Sequence, residues 1–222
     1  MFLKILRLVS RFIVHVIARV EIVGMDNIPA NGGAVVVANH IGRLDAMLGV
    51  VLSSRTDFVL FVADKYRTSA FWRFFVRHLD AVWLNREGLD LKAMRAVQQR
   101  LEAGQVLLIA PEGTRSSSGT MQPAKPGAAY LAARAGLPVV PIGITGTEDH
   151  LVRGRLRRLQ RLDIRINIGE PFYLAPLERH TRDAQLAAYT DEIMCQIGRL
   201  LPPQYRGIYA SHPRLDELLA AT

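Results

Sequence analysis

The fold is decided by the stretch Ala34-Val35-Val36-Val37-Ala38-Asn39-His40-Ile41-Gly42-Arg43-Leu44-Asp45. Its first five residues form a short, uninterrupted and largely β-branched apolar run, which is typical of a buried strand, whereas residues 43–52 have the pattern of an amphipathic helix. His40 therefore lies in the turn between a strand and a helix. On a regular helix, a separation of five residues would leave the side chains of His40 and Asp45 roughly 140° apart. The two can meet if His40 lies in the loop.

A histidine in a loop, with a carboxylate from the following helix, has the arrangement of a general base. The carboxylate hydrogen-bonds one ring nitrogen, fixes the tautomer, and stabilises the imidazolium ion once the other nitrogen has taken a proton. Such a base does not require a serine nucleophile. The same residues also allow a plainer interpretation, in which His40 caps the helix and Asp45 makes an ordinary surface contact.

A second strand-to-turn element lies at residues 107–119. The apolar run at residues 107–110 is followed by Pro111-Glu112-Gly113-Thr114-Arg115-Ser116-Ser117-Ser118-Gly119. Small residues expose backbone N–H groups and Arg115 adds a bidentate donor, so the turn suits a phosphate group. Glu112 in this position could hold an arginine or a substrate hydroxyl. The alternative is a polar turn whose proline and glycine only shape the backbone.

Together these two turns resemble the 1-acylglycerol-3-phosphate acyltransferase (PlsC-like) family of membrane glycerolipid acyltransferases, over most of the chain. The resemblance rests on the family's histidine-x4-aspartate block, here Asn39, His40 and Asp45, and on its proline-glutamate-glycine-threonine-arginine block at residues 111–115. The stretch Val82-Trp83-Leu84-Asn85-Arg86 looks like the family's apolar segment that ends in a substrate-binding arginine. The resemblance extends to further blocks of the family, at residues 137–142 and at Lys125, Gly127 and Ala128.

The chain departs from the family pattern at three positions. Gly42 stands where serine is common, Ala110 where phenylalanine is usual, and Asp80 where glycine is often seen. Glycine is a tolerable helix N-cap, so the missing serine hydroxyl costs only roughly a few tenths of a kcal/mol. These departures leave the predicted catalytic residues in place and affect the expected substrate pocket.

The resemblance implies transfer of a fatty acyl chain from an acyl-CoA or acyl-carrier-protein thioester to a hydroxyl of a lysophospholipid. The expected acceptor is 1-acyl-sn-glycerol 3-phosphate and the product is phosphatidic acid. His40 is implied as the base and Asp45 as its orienting partner, with direct attack on the thioester and no acyl-enzyme. The implied phosphate ligands are Arg86 and Arg115, in a pocket to which Glu112, Gly113 and Thr114 also belong. This reaction needs no bound cofactor and no metal.

Other functions stay open beside this one. They are acyl transfer to another lipid or glycolipid alcohol, non-catalytic binding of anionic lipid, and ester hydrolysis. A protein that only binds lipid would have no reason to keep His40, Asp45 and Arg115 together. An esterase would need a nucleophile elbow, and the sequence contains no Gly-x-Ser-x-Gly.

Alternating strand and helix patterns predict a single α/β domain with a largely parallel central sheet flanked by helices. A chain of 222 residues, 50% of them hydrophobic, can bury one sizeable core, and no repeat or low-complexity linker divides it. Binding sites in such sheets lie beyond the carboxyl ends of the strands, where both turns fall. Helices are predicted at residues 2–19, 43–54, 68–78, 89–103, 126–135 and 183–201, and strands at residues 20–23, 34–38, 58–63, 80–84, 106–110, 138–143 and 163–168.

The single cysteine, Cys195, is expected to be a small buried hydrophobe on a helix. It allows no disulfide within the chain, which fits a reducing compartment. No cysteine–histidine cluster in the sequence suggests zinc.

The net charge of +8 comes mainly from arginine and predicts an anionic partner. We expect membrane phospholipids, because an anionic bilayer attracts basic residues at about 1 kcal/mol each near the headgroups. Nucleic acid is not expected, since the sequence has no zinc-finger spacing, aromatic-rich RNA motif or helix-turn-helix pattern. The alternative is a solvated face that only raises solubility. The densest run comprises Arg153, Arg155, Arg157, Arg158, Arg161 and Arg165.

Residues 1–20 are predicted to form an amphipathic helix in the membrane interface, followed by an acyltransferase domain at residues 21–222. Lys4, Arg7, Arg11, His15 and Arg19 recur every three or four residues, so on a helix they form one polar stripe. A spanning helix would carry these charges through hydrocarbon, whereas an in-plane helix keeps them wet. The expected location is the cytoplasmic face of a membrane, as a peripheral or monotopic protein. A helix packed on its own domain is the alternative, and a secretory signal peptide is not expected.

Overall fold

The apolar runs of the sequence assemble into one sheet. The computed structural model describes residues 2–52, 55–78, 81–85 and 90–221. Within these ranges seven strands pair in the order β1-β7-β6-β2-β5-β3-β4. The strands are β1 (Ala18–Val23), β2 (Ala34–Ala38), β3 (Phe58–Ala63), β4 (Val82–Leu84), β5 (Val106–Ile109), β6 (Val139–Thr145) and β7 (Leu162–Ile168).

Neighbouring strands run parallel except for one pair. β6 and β7 are antiparallel, while the pairs β1–β7, β2–β6, β2–β5, β3–β5 and β3–β4 are parallel. The prediction of an α/β domain with a largely parallel sheet is therefore confirmed. The helices in the described part of the chain are α1 (Phe2–Ile17), α2 (Asp45–Leu52), α3 (Ala70–His78), α4 (Leu91–Glu102), α5 (Gly127–Ala135), α6 (Asp149–Arg157), α7 (Arg182–Arg199) and α8 (Pro213–Ala220).

The central strand β2 is buried over its whole length because helices cover both faces of the sheet. Successive side chains of a strand point to opposite faces. Val35 and Val37 accordingly join one core cluster with residues of α4, α5 and α7, and Val36 joins the other with residues of α1 and α2. Cys195 is buried in the first cluster, as expected.

Three strands bring the two predicted turns to one edge of the sheet. β2 lies between β5 and β6 and is parallel to both, so that Val37 pairs with Ile109 on one side and with Pro141 on the other. The carboxyl ends of these three strands therefore meet at the same edge. The loops that follow them begin at Asn39, Ala110 and Gly146.

Helix α1 packs on the domain along one side only. Val14 is buried in the core, and the guanidinium of Arg7 donates a hydrogen bond to the backbone oxygen of Arg55 at 2.8 Å. The opposite side exposes the apolar side chains Leu8, Val9, Phe12, Ile13 and Val16. Among the described residues, no helix is both long enough and apolar enough to cross a bilayer.

Candidate active site

Asn39 fixes the start of the first loop. Its side-chain oxygen accepts the backbone N–H of Ile144 at 2.8 Å, and its side-chain nitrogen donates to the backbone oxygen of Ile144 at 2.9 Å. The amide thereby extends the pairing of β2 with β6 by one residue beyond Ala38. His40 leaves the sheet from this rigid end.

The structure brings His40 and Asp45 together. The ring Nδ1 of His40 lies 2.9 Å from Oδ2 of Asp45. The same oxygen accepts the backbone N–H groups of Ile41 and Gly42, each at 2.8 Å. Asp45 is the first residue of α2 and is 5% exposed, so its carboxylate is held in place by three donors. With Nδ1 donating to the carboxylate, Nε2 carries the free lone pair and is the atom that can accept a proton.

Glu112 in the second loop holds the backbone of His40. One carboxylate oxygen accepts the N–H of His40 at 2.9 Å and the other accepts the N–H of Gln122 at 3.0 Å. The N–H of Ser116 donates to the backbone oxygen of His40 at 2.8 Å. Both backbone polar groups of His40 are therefore bound by the second loop, and the contacts of Glu112 are those of a residue that positions His40.

Burial dominates the electrostatics of Glu112, which is 3% exposed. Removal from water raises the pKa of this carboxyl from 4.5 to about 7, although the two backbone N–H donors favour the ionised form. The ring of His40 and the carboxylate of Asp45 add smaller and opposite effects on this pKa. Near neutral pH the charge of Glu112 is therefore sensitive to small changes around it.

Gly113 and Thr114 lie at the outer part of the second loop. Gly113 has a φ of 68°, and its α-carbon faces the aliphatic stem of Lys125, to which an added Cβ would come within 3.4 Å. The backbone N–H of Lys125 donates to the backbone oxygen of Pro111 at 2.8 Å. Thr114 is exposed. This arrangement keeps the tip of the loop open to solvent beside a lysine side chain.

Arg115 is paired with a residue that the sequence did not single out. Its Nη1 lies 2.6 Å from Oδ2 of Asp149, the first residue of α6. Arg43 also binds Asp149, through Nε at 3.4 Å from Oδ2 and through its backbone N–H at 3.1 Å from Oδ1. One carboxylate thus occupies the space between two arginines at the edge where the loops meet. Arg43 lay within the decisive stretch of sequence, whereas only the position of Asp149 just after β6 could have indicated it.

Position 42 has no room for a side chain. A Cβ added to Gly42 would lie 1.8 Å from the backbone oxygen of Thr147, in the loop between β6 and α6. Serine, which the family commonly has here, would not fit without displacement of that loop. The departure from the family pattern therefore reflects the close approach of two loops at the site.

Two of the singled-out residues, Arg86 and Asp80, lie outside the described residues. The structure brings together His40, Asp45, Glu112 and Arg115 with its neighbours, and their roles in catalysis and binding stay predictions. In the described part of the chain, no group of three or more histidine, cysteine, aspartate or glutamate side chains is placed to hold a metal ion.

Comparison with known proteins gives a consistent result. The family model described as Acyltransferase matches residues 19–145, a range that contains both loops. The chain is 33% identical over 174 residues to the probable 1-acyl-sn-glycerol-3-phosphate acyltransferase of Mycoplasma pneumoniae, with 76% of this chain and 64% of the relative covered. It is 34% identical over 151 residues to the human 1-acyl-sn-glycerol-3-phosphate acyltransferase alpha, with 66% of this chain and 53% of the relative covered. The chain thus spans between about half and two thirds of the length of these relatives.

A solved structure shares the fold. The crystal structure of the 1-acyl-sn-glycerophosphate (LPA) acyltransferase PlsC from Thermotoga maritima is similar with a TM-score of 0.65 at 23% sequence identity, covering 86% of this chain and 78% of that chain. The family model spans more than half of the sequence and includes both loops that form the site. The chain belongs to the Acyltransferase family.

Proposed function

We propose that this protein is a 1-acylglycerol-3-phosphate acyltransferase. It transfers an acyl chain from an acyl-CoA or acyl-carrier-protein thioester to the free hydroxyl of lysophosphatidic acid and yields phosphatidic acid. The observation that carries the proposal is the contact of 2.9 Å between Nδ1 of His40 and Oδ2 of Asp45, which leaves Nε2 as a base beyond the carboxyl end of β2. Relatives named as 1-acyl-sn-glycerol-3-phosphate acyltransferases support the choice of acceptor.

The reaction needs one base and no covalent enzyme intermediate. Nε2 of His40 takes the proton of the acceptor hydroxyl as its oxygen attacks the thioester carbonyl carbon. The tetrahedral intermediate then collapses, the C–S bond breaks, and the thiolate leaves and takes the proton back from the imidazolium. Asp45 stabilises that imidazolium through the hydrogen bond to Nδ1. The ester and the free thiol are released with no net change in protons on the enzyme.

The acceptor phosphate binds where Asp149 now holds two arginines. Asp149 is 38% exposed and Arg115 is exposed to a similar degree, so the pair is accessible from solvent. An exposed ion pair contributes only about 0–1 kcal/mol, whereas a phosphate offers Arg115 and Arg43 charge-assisted and bidentate bonds. Exchange of the carboxylate for the phosphate is therefore favourable. Arg86 is the third expected ligand, on the strength of the family resemblance alone.

Steady-state kinetics of Arg115→Ala tests the phosphate site. The variant should lose roughly ten- to hundredfold in kcat/KM for lysophosphatidic acid, because a charge-assisted pair is lost, and should keep the KM of the acyl donor. Arg115→Lys should restore only part of the loss, since a point charge cannot form the two-pronged contact. Arg165→Ala is the matched control, because Arg165 is also an exposed arginine and pairs with Glu21.

Two results would contradict the proposal. One is equal turnover of lysophosphatidic acid and a monoacylglycerol without phosphate by the wild-type protein. The other is a loss of donor affinity, rather than acceptor affinity, in Arg115→Ala.

Asp149→Asn tests whether the acceptor phosphate displaces the carboxylate of Asp149 from the arginines. If Asp149 competes with the phosphate, the variant should lower the KM for lysophosphatidic acid by about two- to fivefold, since an exposed pair no longer has to be broken. If Asp149 only orients Arg115, the KM should rise instead, and the exchange is wrong. Asp163→Asn is the control, because this exposed aspartate pairs with Arg155 away from the two loops.

Membrane association through α1 belongs to the same proposal. The exposed apolar side of α1, opposite the side that packs on the domain, supports an in-plane position in the headgroup region. The cytoplasmic face is the expected side of the membrane. Replacement of Leu8 and Phe12 by glutamine in the full chain should weaken binding to phosphatidylglycerol vesicles. If vesicle binding is unchanged, the membrane role of α1 is wrong and α1 is a helix that only packs on its own domain.

A further inference from the structure

Helix α6 ends in a turn that normally needs glycine. The N–H of Gln160 donates to the backbone oxygen of Arg155 at 2.9 Å, and the N–H of Leu159 donates to the backbone oxygen of Leu156 at 3.1 Å. These two bonds define a Schellman motif, whose left-handed position is usually glycine because a side chain strains that conformation. Here the left-handed residue is Leu159, with a φ of 53°, the only non-glycine residue with positive φ in the described part of the chain.

The strain at Leu159 is not offset by packing within the domain. Its side chain is 96% exposed, so the leucine contributes almost no buried apolar surface to the fold. Glycine at this position would remove both the strain and the exposed apolar group. A residue that violates a local rule without a gain inside the protein points to a role outside it.

The surroundings of Leu159 define the chemistry of its partner. Arg157 and Arg158 at the same helix end are exposed, and Leu156 adds a second exposed apolar side chain. An apolar tip among cations is complementary to a surface that is anionic outside and apolar beneath. Anionic lipid headgroups above acyl chains have that structure.

The turn that carries Leu159 adjoins the end of α1. The guanidinium of Arg161 donates to the backbone oxygens of His15 and Ala18, and so ties the turn after α6 to the end of α1. Val16, whose side chain is exposed, lies between these two residues. The turn after α6 is therefore held next to the end of α1 that carries Val16.

We propose that this turn, residues 156–161, is a second membrane contact, in which Leu159 enters an anionic bilayer and the arginines bind lipid phosphates. The inference rests on the membrane association proposed for α1 and extends it to a part of the chain about 140 residues away, from Leu8–Val16 to Leu156–Arg161. Burial of one leucine side chain raises a partition coefficient by about tenfold or more.

The test uses Leu159→Gly in the full chain and sedimentation with vesicles of phosphatidylglycerol or phosphatidylcholine. The apparent affinity for phosphatidylglycerol vesicles should fall by about five- to tenfold. The Tm should stay the same or rise, because glycine relieves the strained turn. A role in folding predicts the reverse, with a lower Tm and unchanged vesicle binding, and that result would overturn the inference.

Further variants separate this contact from its surroundings. Leu159→Asn should also weaken binding, since asparagine tolerates the left-handed conformation, whereas Leu91→Asn, at a leucine of α4 that is 53% exposed, should not. Replacement of Arg157 and Arg158 by glutamine should remove the preference for phosphatidylglycerol over phosphatidylcholine. If the Leu8 and Phe12 variant loses vesicle binding while Leu159→Gly binds as the wild-type protein does, the proposal for α1 is supported and the inference about residues 156–161 is refuted. Absence of binding by the wild-type protein would refute both, and acyl transfer with water-soluble short-chain substrates would still test the catalytic proposal.

Discussion

Replacement of Asp45 by asparagine separates the charge of this residue from its geometry. One oxygen of Asp45 accepts three hydrogen bonds, from Nδ1 of His40 and from the backbone N–H groups of Ile41 and Gly42. The amide oxygen of asparagine can occupy the same place and accept all three. The variant therefore keeps the loop but presents the imidazolium with a neutral partner.

The expected size of the effect follows from these contacts. Asp45 is almost fully buried, so its charge is little screened by solvent. A hydrogen bond between charged groups is worth roughly 1.5–3 kcal/mol, and losing the charge from it should lower kcat by about ten- to hundredfold. The free energy of unfolding should fall by only about 1–2 kcal/mol, which is the cost of a buried amide N–H without a partner. Asp45→Ala should be much less stable, because it leaves all three donors without an acceptor.

The assay is transfer of labelled acyl chains to lysophosphatidic acid at saturating substrate, with denaturant unfolding measured on the same preparations. Asp90→Asn is the matched control, since Asp90 caps α4 by accepting the N–H groups of Ala93 and Asn85, each at 3.0 Å. Wild-type kcat in a folded Asp45→Asn protein would refute the reasoning, because the carboxylate would then serve the loop alone.

Three more results are expected. His40→Ala should lower kcat by about 10²–10⁴-fold while the circular dichroism spectrum is retained, and substantial activity in this variant would end the base mechanism. Gly42→Ser should lower the Tm despite the family preference, since its Cβ would lie 1.8 Å from the backbone oxygen of Thr147, and an unchanged Tm would show that this loop yields easily. The pKa of Glu112 is raised from 4.5 to about 7 in the folded protein, so its protonation favours folding and its contribution to stability increases as the pH falls from 7 to 4.5. The free energy of unfolding of the wild-type protein, relative to Glu112→Gln, should increase over that range by at most about 3 kcal/mol, and denaturant titrations that show no such trend would contradict it.

The sequence predicted the elements that depend on local pattern. The β-branched run at Ala34–Ala38 forms β2 with the predicted bounds, and the periodic segments at 89–103 and 126–135 form α4 and α5 within two residues. Apolar periodicity is local, so it can be read without knowledge of the fold. The contact between His40 and Asp45 was also predictable, because both belong to one strand–turn–helix unit and are five residues apart.

The remaining features depend on tertiary pairing. Asp149 meets Arg115 across 34 positions, and Glu112 meets the backbone of His40 across 72, and no local pattern encodes such distances. Helix α6 was not predicted from the sequence, because arginines interrupt its apolar periodicity and Gly154 lowers its helix propensity. The polar stripe expected on α1 is divided in the structure, since Arg7 turns toward the domain while Arg19 belongs to β1.

The pairing of β1 with β7 sets an order of events during synthesis. β1 is an edge strand whose residues pair in parallel with Leu162–Asn167, and it has no other partner in the described sheet. At about 5–20 residues per second, a ribosome needs on the order of 7–30 s to make the chain between them. For most of that interval α1 has left the ribosome while the strand that will hold its end in place does not yet exist. Its apolar side chains are thus available to a chaperone or a bilayer before the sheet closes, and the pairing of β1 with β7 joins two parts of the domain that are made far apart in time.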